Sequence, residues 1–432
     1  MNTRFYNARI LSMKDNMDII DGEVWVEGNR ISYVGPGSKS QMCPTWDREI
    51  DARGNLLMPG FKNAHTHSAM TFLRSYADDL PLHDWLNTQV FPMEAKLVPE
   101  DIYWLSRLAI MEYLTSGITA DFDMYCHPEM TAKASVECGF RTVLVGCVNN
   151  FTSSLELMEE EYEKFNHGHE LIHYMLGFHA EYTCSKEILE GVAALAHKYQ
   201  APVFAHISET QDEVKGCIER YGKTPPELLN DLGMFDYGGG GYHCIYLTDA
   251  DLELFEKKRL FVVTNPGSNV KLASGIAPIS EMMKRGIPVA IGTDGPASNN
   301  CLDMFREMFL VTGLAKLKEH DAAAVPADSV LLMAAKTGAR AMGLDDCDCL
   351  AEGKLADLIM IDLHQPNMRP LNNIVKNIVY SGSKQNVKMT MVNGQILYKD
   401  GQFFIGVEPE DVYRQAEAII GRVTAPDPYR TE

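Results

Sequence analysis

The sequence predicts an α/β protein: a (β/α)8 barrel of the TIM type with a small β-sandwich domain formed from both chain termini. Three observations lead there. Eight apolar, strand-like runs alternate with amphipathic helical stretches through the middle of the chain. Both ends read as short strands joined by turns. The 432 residues are enough for one barrel with an appendage. Continuous apolar strands between helices indicate a parallel sheet covered on both faces. A doubly wound sheet is the structural alternative, but no G-x-G-x-x-G follows the first strand of the centre.

Along the chain, residues 1–55 supply Phe5–Ser12, Gly22–Glu27 with alternating Val24 and Val26, and Arg30–Val34 before the turn Gly35-Pro36. The eight central strands are expected at Leu56–His65, Ile118–Phe122, Arg141–Val148, Ile172–His179, Pro202–His206, Gly241–Tyr246, Leu260–Asn265 and Pro288–Gly292. Helical patterns lie between them at Pro99–Ser116, Ser185–Tyr199, Thr210–Tyr221, Asp249–Lys257 and Pro278–Arg285. Ser185 before Glu187 has the form of an N-cap followed by an acidic first turn. The run Gly238–Gly241 reads as a flexible lead-in to a strand, because it lacks the Lys-Ser/Thr of a phosphate cradle. Beyond about residue 353, Asp357–Ile361, Val375–Ser381 and Lys388–Val392 are strand-like, and Asn393-Gly394 before Gln395–Tyr398 signals a hairpin. The expected division is a composite β domain from residues 1–55 plus 353–432, with a C-terminal helix, around the barrel at 56–352.

Composition removes several function classes. The net charge is 39 − 59 = −20, which disfavours nucleic acid and anionic membranes as partners. No apolar run reaches the roughly 18–20 residues of a membrane span, and the opening MNTRFY is unlike a cleavable signal peptide. Ten scattered cysteines with no C-x-x-C read as reduced and mostly buried. A cytoplasmic protein is the expectation, with a homo-oligomer left open.

The polar residues at strand ends carry the chemistry. His65 and His67 close the first central strand, and residues i and i+2 of an extended chain point to one side. His206 ends the fifth strand, His243 lies in the sixth and Asp294 follows the eighth in Gly292-Thr293-Asp294. The C-terminal strand ends of a barrel converge on one mouth. Three imidazoles and a carboxylate with room for water suit a catalytic divalent metal, zinc or iron(II) by preference. A competing motif is His169-Glu170-Leu171-Ile172-His173, a formal H-E-x-x-H. It binds metal only on a helix; here Gly168 precedes it and a strand run follows, so accident is the better reading.

These residues resemble the amidohydrolase superfamily. Pro59-Gly60-Phe61 through His65-Thr66-His67 is similar to its first-strand signature, and similarity continues through Ala77–Leu82, His206-Ile207-Ser208-Glu209-Thr210 and Ser268–Gly275. It is strongest in Ile291–Asn300. Together they resemble the branch holding 5′-methylthioadenosine/S-adenosylhomocysteine deaminases and triazine chlorohydrolases. The resemblance implies one divalent ion, zinc before iron(II), bound by His65, His67, His206 and Asp294, with His243 near the nucleophilic water. Relatives with two bridged metals carry a lysine on the fourth strand, and Ile172–His179 has none. Glu209 is then the proton shuttle and Asp294 accepts a proton from water; as a structural alternative, Glu209 is a helix N-terminal carboxylate.

The resemblance further implies hydrolytic deamination of an adenosine-type nucleoside to its inosine-type product, with Trp85 lining the purine, Glu94 taking the ribose hydroxyls and His179 donating to a ring nitrogen. Two positions depart from the branch. His179-Ala180-Glu181-Tyr182 replaces its usual His-Ala-Pro-Tyr, and Gly146 stands where an arginine commonly helps bind the amino-acid tail. That loss favours adenosine or 5′-methylthioadenosine over S-adenosylhomocysteine. The alternatives are hydrolysis of guanine, pterin or triazine rings at the same site, a metalloprotease at His169 and His173, and a non-catalytic barrel. The other type of zinc deaminase needs H-x-E with P-C-x-x-C, which is absent.

Overall fold

Alternating burial builds the first strand: Thr3, Phe5, Ala8 and Ile10 turn inward from β1 (Asn2–Leu11). The computed structural model describes residues 1–37, 45–76, 78–80 and 82–425; Cys43, and Ala77 and Pro81 of the Ala77–Leu82 motif, lie outside them. After β1 come β2 (Ile19–Glu27), β3 (Arg30–Gly35), β4 (Arg48–Asp51) and β5 (Leu56–Pro59). Eight more strands follow: β6 (Phe61–Thr66), β7 (Ile118–Asp123), β8 (Arg141–Val145), β9 (Ile172–Ala180), β10 (Val203–Ile207), β11 (Gly239–His243), β12 (Phe261–Thr264) and β13 (Val289–Ile291). The chain returns as β14 (Leu358–Ile361), β15 (Val387–Val392), β16 (Gln395–Lys399) and β17 (Gln402–Phe403).

Among the described residues, strands from the two termini form one nine-stranded sheet in the order β17-β16-β15-β14-β5-β1-β2-β3, with β4 on β1. Phe5, Ile10, Val24 and Val26 from one end share an apolar cluster with Leu358, Met360, Met389 and Met391 from the other. The sandwich is therefore a single sheet folded over its own core. β6 to β13 run parallel in sequential order, each followed by helical structure, as a (β/α)8 barrel requires. Asp294 N–H donates to the His65 carbonyl at 3.0 Å, and the Asn63 side chain bonds Thr293; these contacts join the last barrel strand to the first. Phe122, Phe204 and Tyr242 fill the lumen, with ring centroids 5.1–5.9 Å apart.

Three sequence expectations change. The run Leu56–His65 is two strands, not one: Leu56–Pro59 pairs with β1 and β14, and the chain crosses at Gly60 into the barrel. Val375–Ser381 is no strand; Ile374–Tyr380 is a helix. Asn373 caps it by accepting the Lys376 N–H, and Val375, Ile378 and Val379 form a buried helical stripe. The run Gly238–Gly241 is not a loose lead-in, because Gly239, Gly240 and Gly241 are themselves strand. A Cβ on Gly239 would stand 2.0 Å from the Val203 carbonyl oxygen, and one on Gly240 2.2 Å from that of Phe261, so only glycine lets these strands approach.

The barrel and the terminal sheet are fastened by a buried ion pair. Arg141, at the start of β8, gives Nε–H to Asp357 Oδ2 at 2.7 Å and Nη2–H to Oδ1 at 3.1 Å. Asp357 also accepts the Asn393 N–H at 2.7 Å. The nine described cysteines are free thiols. No described helix is long and apolar enough to cross a membrane.

Candidate active site

Four side chains meet at the C-terminal mouth of the barrel. His65 on β6, His206 on β10, His243 at the end of β11 and Asp294 after β13 present donor atoms within 4.8 Å of one another, all buried. His67 joins through the carboxylate: its Nε2 is 3.2 Å from Asp294 Oδ1, and His65 Nε2 is 3.5 Å from the same oxygen. The turns aim these groups at a conformational cost, since His243 and Asp294 hold φ of 66° and 58°, a region non-glycine residues seldom adopt.

Partners behind the rings fix which nitrogen faces the centre. His206 Nδ1–H donates to the His179 carbonyl at 2.8 Å, His243 Nδ1–H to Asn269 Oδ1 at 2.8 Å and His67 Nδ1–H to the Met124 carbonyl at 2.5 Å. Each ring thereby turns its Nε2 inward. Both nitrogens of His65 are buried with no hydrogen-bond partner, a cost few native groups carry without a ligand. This unpaired imidazole among nitrogen and carboxylate donors fits a divalent cation of the zinc type. Burial pushes the His65 pKa down to about 3 and His206 well below its usual value. Burial opposes charge on His67 too, but the Asp294 carboxylate raises it to about 9. Asp294 is held well below the carboxylate range by His65 and His67 despite its burial.

Glu209 stands beside the cluster. Its Oε2 is 3.9 Å from His243 Nε2, and Ser274 Oγ–H reaches Oε1 at 3.4 Å. Burial raises its carboxyl pKa. It is also fixed from behind, because Glu213 accepts the N–H groups of Ser208 and Glu209 at 2.7 and 2.8 Å. The helix Gln211–Tyr221 starts just after it, capped by Thr210.

These groups open on a cavity of about 1050 Å3. Eight of the nine side chains expected from sequence line it, and His65 lies behind the others. Glu94 accepts the Tyr125 hydroxyl proton at 2.6 Å, and burial raises its pKa. Trp85 is buried in an apolar cluster with Met70, Phe72, Met93 and Tyr125. His179 bonds Thr183 Oγ1 at 3.0 Å, and burial pushes its pKa down to about 4. The departure at Glu181 has a structural account: this buried carboxylate pairs with Arg220 at 2.6 Å and ties the segment after β9 to the helix behind Glu209. The H-E-x-x-H match dissolves, since residues 167–171 are not helical and His173 lies in β9.

Sequence reasoning missed the layer behind the ligands. Asn269 lies within the quoted Ser268–Gly275 motif, yet only the fold shows that it holds His243. A second network flanks His67: the Tyr113 hydroxyl bridges Thr66 Oγ1 at 2.8 Å and Ser68 Oγ at 2.9 Å, while Asp123 accepts the Ser68 N–H and Asp121 its hydroxyl. Burial raises both aspartates, Asp123 to about 6. Tyr113→Phe deletes the bridge without changing shape. Such partners are worth about 10–100-fold in metal affinity, so the expected outcome is zinc binding about tenfold weaker than in the parent protein, read by competition with a chelating dye.

Known proteins resemble this chain over nearly its whole length. Residues 56–397 match the amidohydrolase family. A 5-methylthioadenosine/S-adenosylhomocysteine deaminase of Caldanaerobacter subterraneus subsp. tengcongensis is 39% identical over 427 residues, covering 96% of this chain and 97% of the relative. One from Desulfitobacterium hafniense is 40% identical over 426 residues, covering 96% and 98%. The crystal structure of an adenosine deaminase from Xanthomonas campestris with bound zinc superposes with a TM-score of 0.93, at 30% identity and 98% coverage of both chains.

Proposed function

This chain belongs to the amidohydrolase family, and from that we propose that it is a metal-dependent deaminase of adenosine-type nucleosides: adenosine, 5′-methylthioadenosine or S-adenosylhomocysteine. The purine amino group is hydrolysed to the inosine-type oxo group, and ammonia leaves. The observation that carries this reading is the unpaired His65 within the His65, His206, His243 and Asp294 cluster, with Glu209 alongside. The names of the deaminase relatives supply the substrate class.

His65, His67, His206 and Asp294 would hold one divalent ion, zinc by preference as in the Xanthomonas campestris structure. When bound, such an ion lowers the pKa of water to near 7 and so supplies a nucleophile at neutral pH. Asp294 takes the proton of the attacking water. His243, held by Asn269, orients that water. Glu209 carries a proton to the ring nitrogen beside the reacting carbon and then to the departing amine. His179 donates to a purine nitrogen, Trp85 packs against the ring, and Glu94 accepts the ribose hydroxyls. The apolar walls keep bulk water from the reacting carbon. We place the enzyme in the cytoplasm.

The test is ammonia release by zinc-loaded protein from adenosine, 5′-methylthioadenosine, S-adenosylhomocysteine and guanine. Release from the nucleosides, abolished by a chelator and restored by zinc, supports the reading; guanine as the sole substrate replaces it.

A further inference from the structure

The cavity is larger than a nucleoside needs. Its volume of about 1050 Å3 lies at the top of the roughly 300–1,000 Å3 of pockets that enclose a drug-sized ligand. The wall after β7 serves as a ruler. The Met124 carbonyl holds His67, the Tyr125 hydroxyl meets Glu94, and Cys126 and His127 continue outward. Past them the cavity continues as a lobe lined by Pro128 and Glu129, at the start of the helix Pro128–Cys138, and by one side of the helix Leu155–Asn166. Cys147, Leu157 and Phe165 give this lobe apolar walls, and Phe151 stands at its rim.

Phe151 is 80% exposed, but its turn is pinned. Asn149 Oδ1 accepts the N–H groups of Phe151 and Thr152, and Asn150 N–H donates to the Thr183 carbonyl. Phe151 lines the same cavity as Cys147, Leu157 and Phe165, so it extends a contiguous apolar wall to the rim, and contiguous apolar surface marks a contact site. The charges of the lobe oppose an anion: Glu129, Glu160 and Glu161 line it against Lys164. No cation is supplied from Gly146, because a Cβ there would lie 2.6 Å from Met158 Sδ and 2.8 Å from the Gly177 carbonyl oxygen.

We propose that this lobe is a subsite for an uncharged apolar 5′-substituent longer than methylthio, an alkylthio or arylthio group, on the adenine nucleoside. The inference rests on the nucleoside-deaminase reading. Purine and ribose occupy the inner part between Glu209 and Glu94, and the 5′-tail runs along Cys147 and Leu157 towards Phe165, covered by Phe151. A carboxylate at the tail's end meets the acidic lining and loses what the methylenes gain.

The test compares kcat and KM of the zinc-loaded enzyme for adenosine and for its 5′-methylthio, 5′-butylthio and 5′-(3-carboxypropylthio) derivatives, by ammonia release. From methylthio to butylthio, kcat/KM is expected to rise about fourfold per added methylene, through KM, and the carboxyl tip cancels that rise. Phe151→Ala lowers the preference for butylthio over adenosine about tenfold. Leu157→Arg, at a position 44% exposed, raises kcat/KM for the carboxyl-tipped substrate over the parent's value by about tenfold. Rates that stay level or fall with tail length, or a carboxyl-tipped substrate preferred by the parent enzyme, overturn the subsite while ammonia from adenosine upholds the deaminase. Ammonia from none of the four overturns both. Should either variant fail to fold, the series on the parent enzyme decides alone.

Discussion

Glu209→Gln is expected to slow ammonia release by about 10²–10⁴-fold, the usual worth of a positioned proton-transfer group, with bound metal unchanged. The substitution is nearly isosteric. The amide oxygen still accepts from Ser274, and the backbone N–H still reaches Glu213, so the side chain stays in place beside His243. What it loses is the capacity to take up and return a proton. Metal content by elemental analysis separates this from a ligand defect, since His206→Ala should lose metal and activity together. A Gln variant within about threefold of the parent rate would remove Glu209 as proton shuttle and leave the metal assignment intact.

Arg141→Met should cost about 3–5 kcal/mol of stability, the price of leaving a buried charge without its partner. Arg141 and Asp357 are 1% and 0% exposed. Lys62, a further cation acting on Asp357, is engaged by the Gly60 carbonyl and Thr119 Oγ1. The pH dependence gives a second readout. In the parent protein Arg141 overcomes burial and holds the Asp357 carboxyl below its ordinary value. That stabilisation is complete above about pH 4, the unfolded value, and disappears as pH falls through the folded one. Without the guanidinium, burial dominates and the shift reverses. The variant then loses stability as pH rises above about 4. Urea titrations at pH 3, 4, 5 and 7 distinguish the opposite slopes, and equal stability of the two proteins at pH 7 refutes the ion pair as a fastening.

The barrel was legible because its strands are continuous apolar runs separated by capped helices, a pattern that survives without knowledge of neighbours. Ser185 and Thr210 cap the helices where the sequence places them. What failed is set by contacts between distant segments. Val375–Tyr380 has the β-branched residues of a strand, and only its buried stripe against the barrel helices makes it helical. The helix Leu155–Asn166 is absent from the expected elements although Leu155, Met158, Tyr162 and Phe165 recur at helical spacing and pack on the core. The candidate ligands could be read because histidine and aspartate at strand ends are chemically distinctive. Asn269, Tyr113 and Glu213 could not, since nothing local reveals that an amide, a phenol and a second carboxylate will stand behind those ligands.

The helix Pro409–Val423 stands directly behind the wall of the catalytic chamber. Its Ile419 and Val423 share an apolar cluster with Trp85 and Met93, its Val423 carbonyl accepts Lys96 Nζ–H, and Arg422 binds Asp101 and the Lys96 carbonyl. A truncation that removes this helix therefore takes away the support beneath the segment expected to grip the sugar. An assay of such a truncation would report the lost support together with the chemistry.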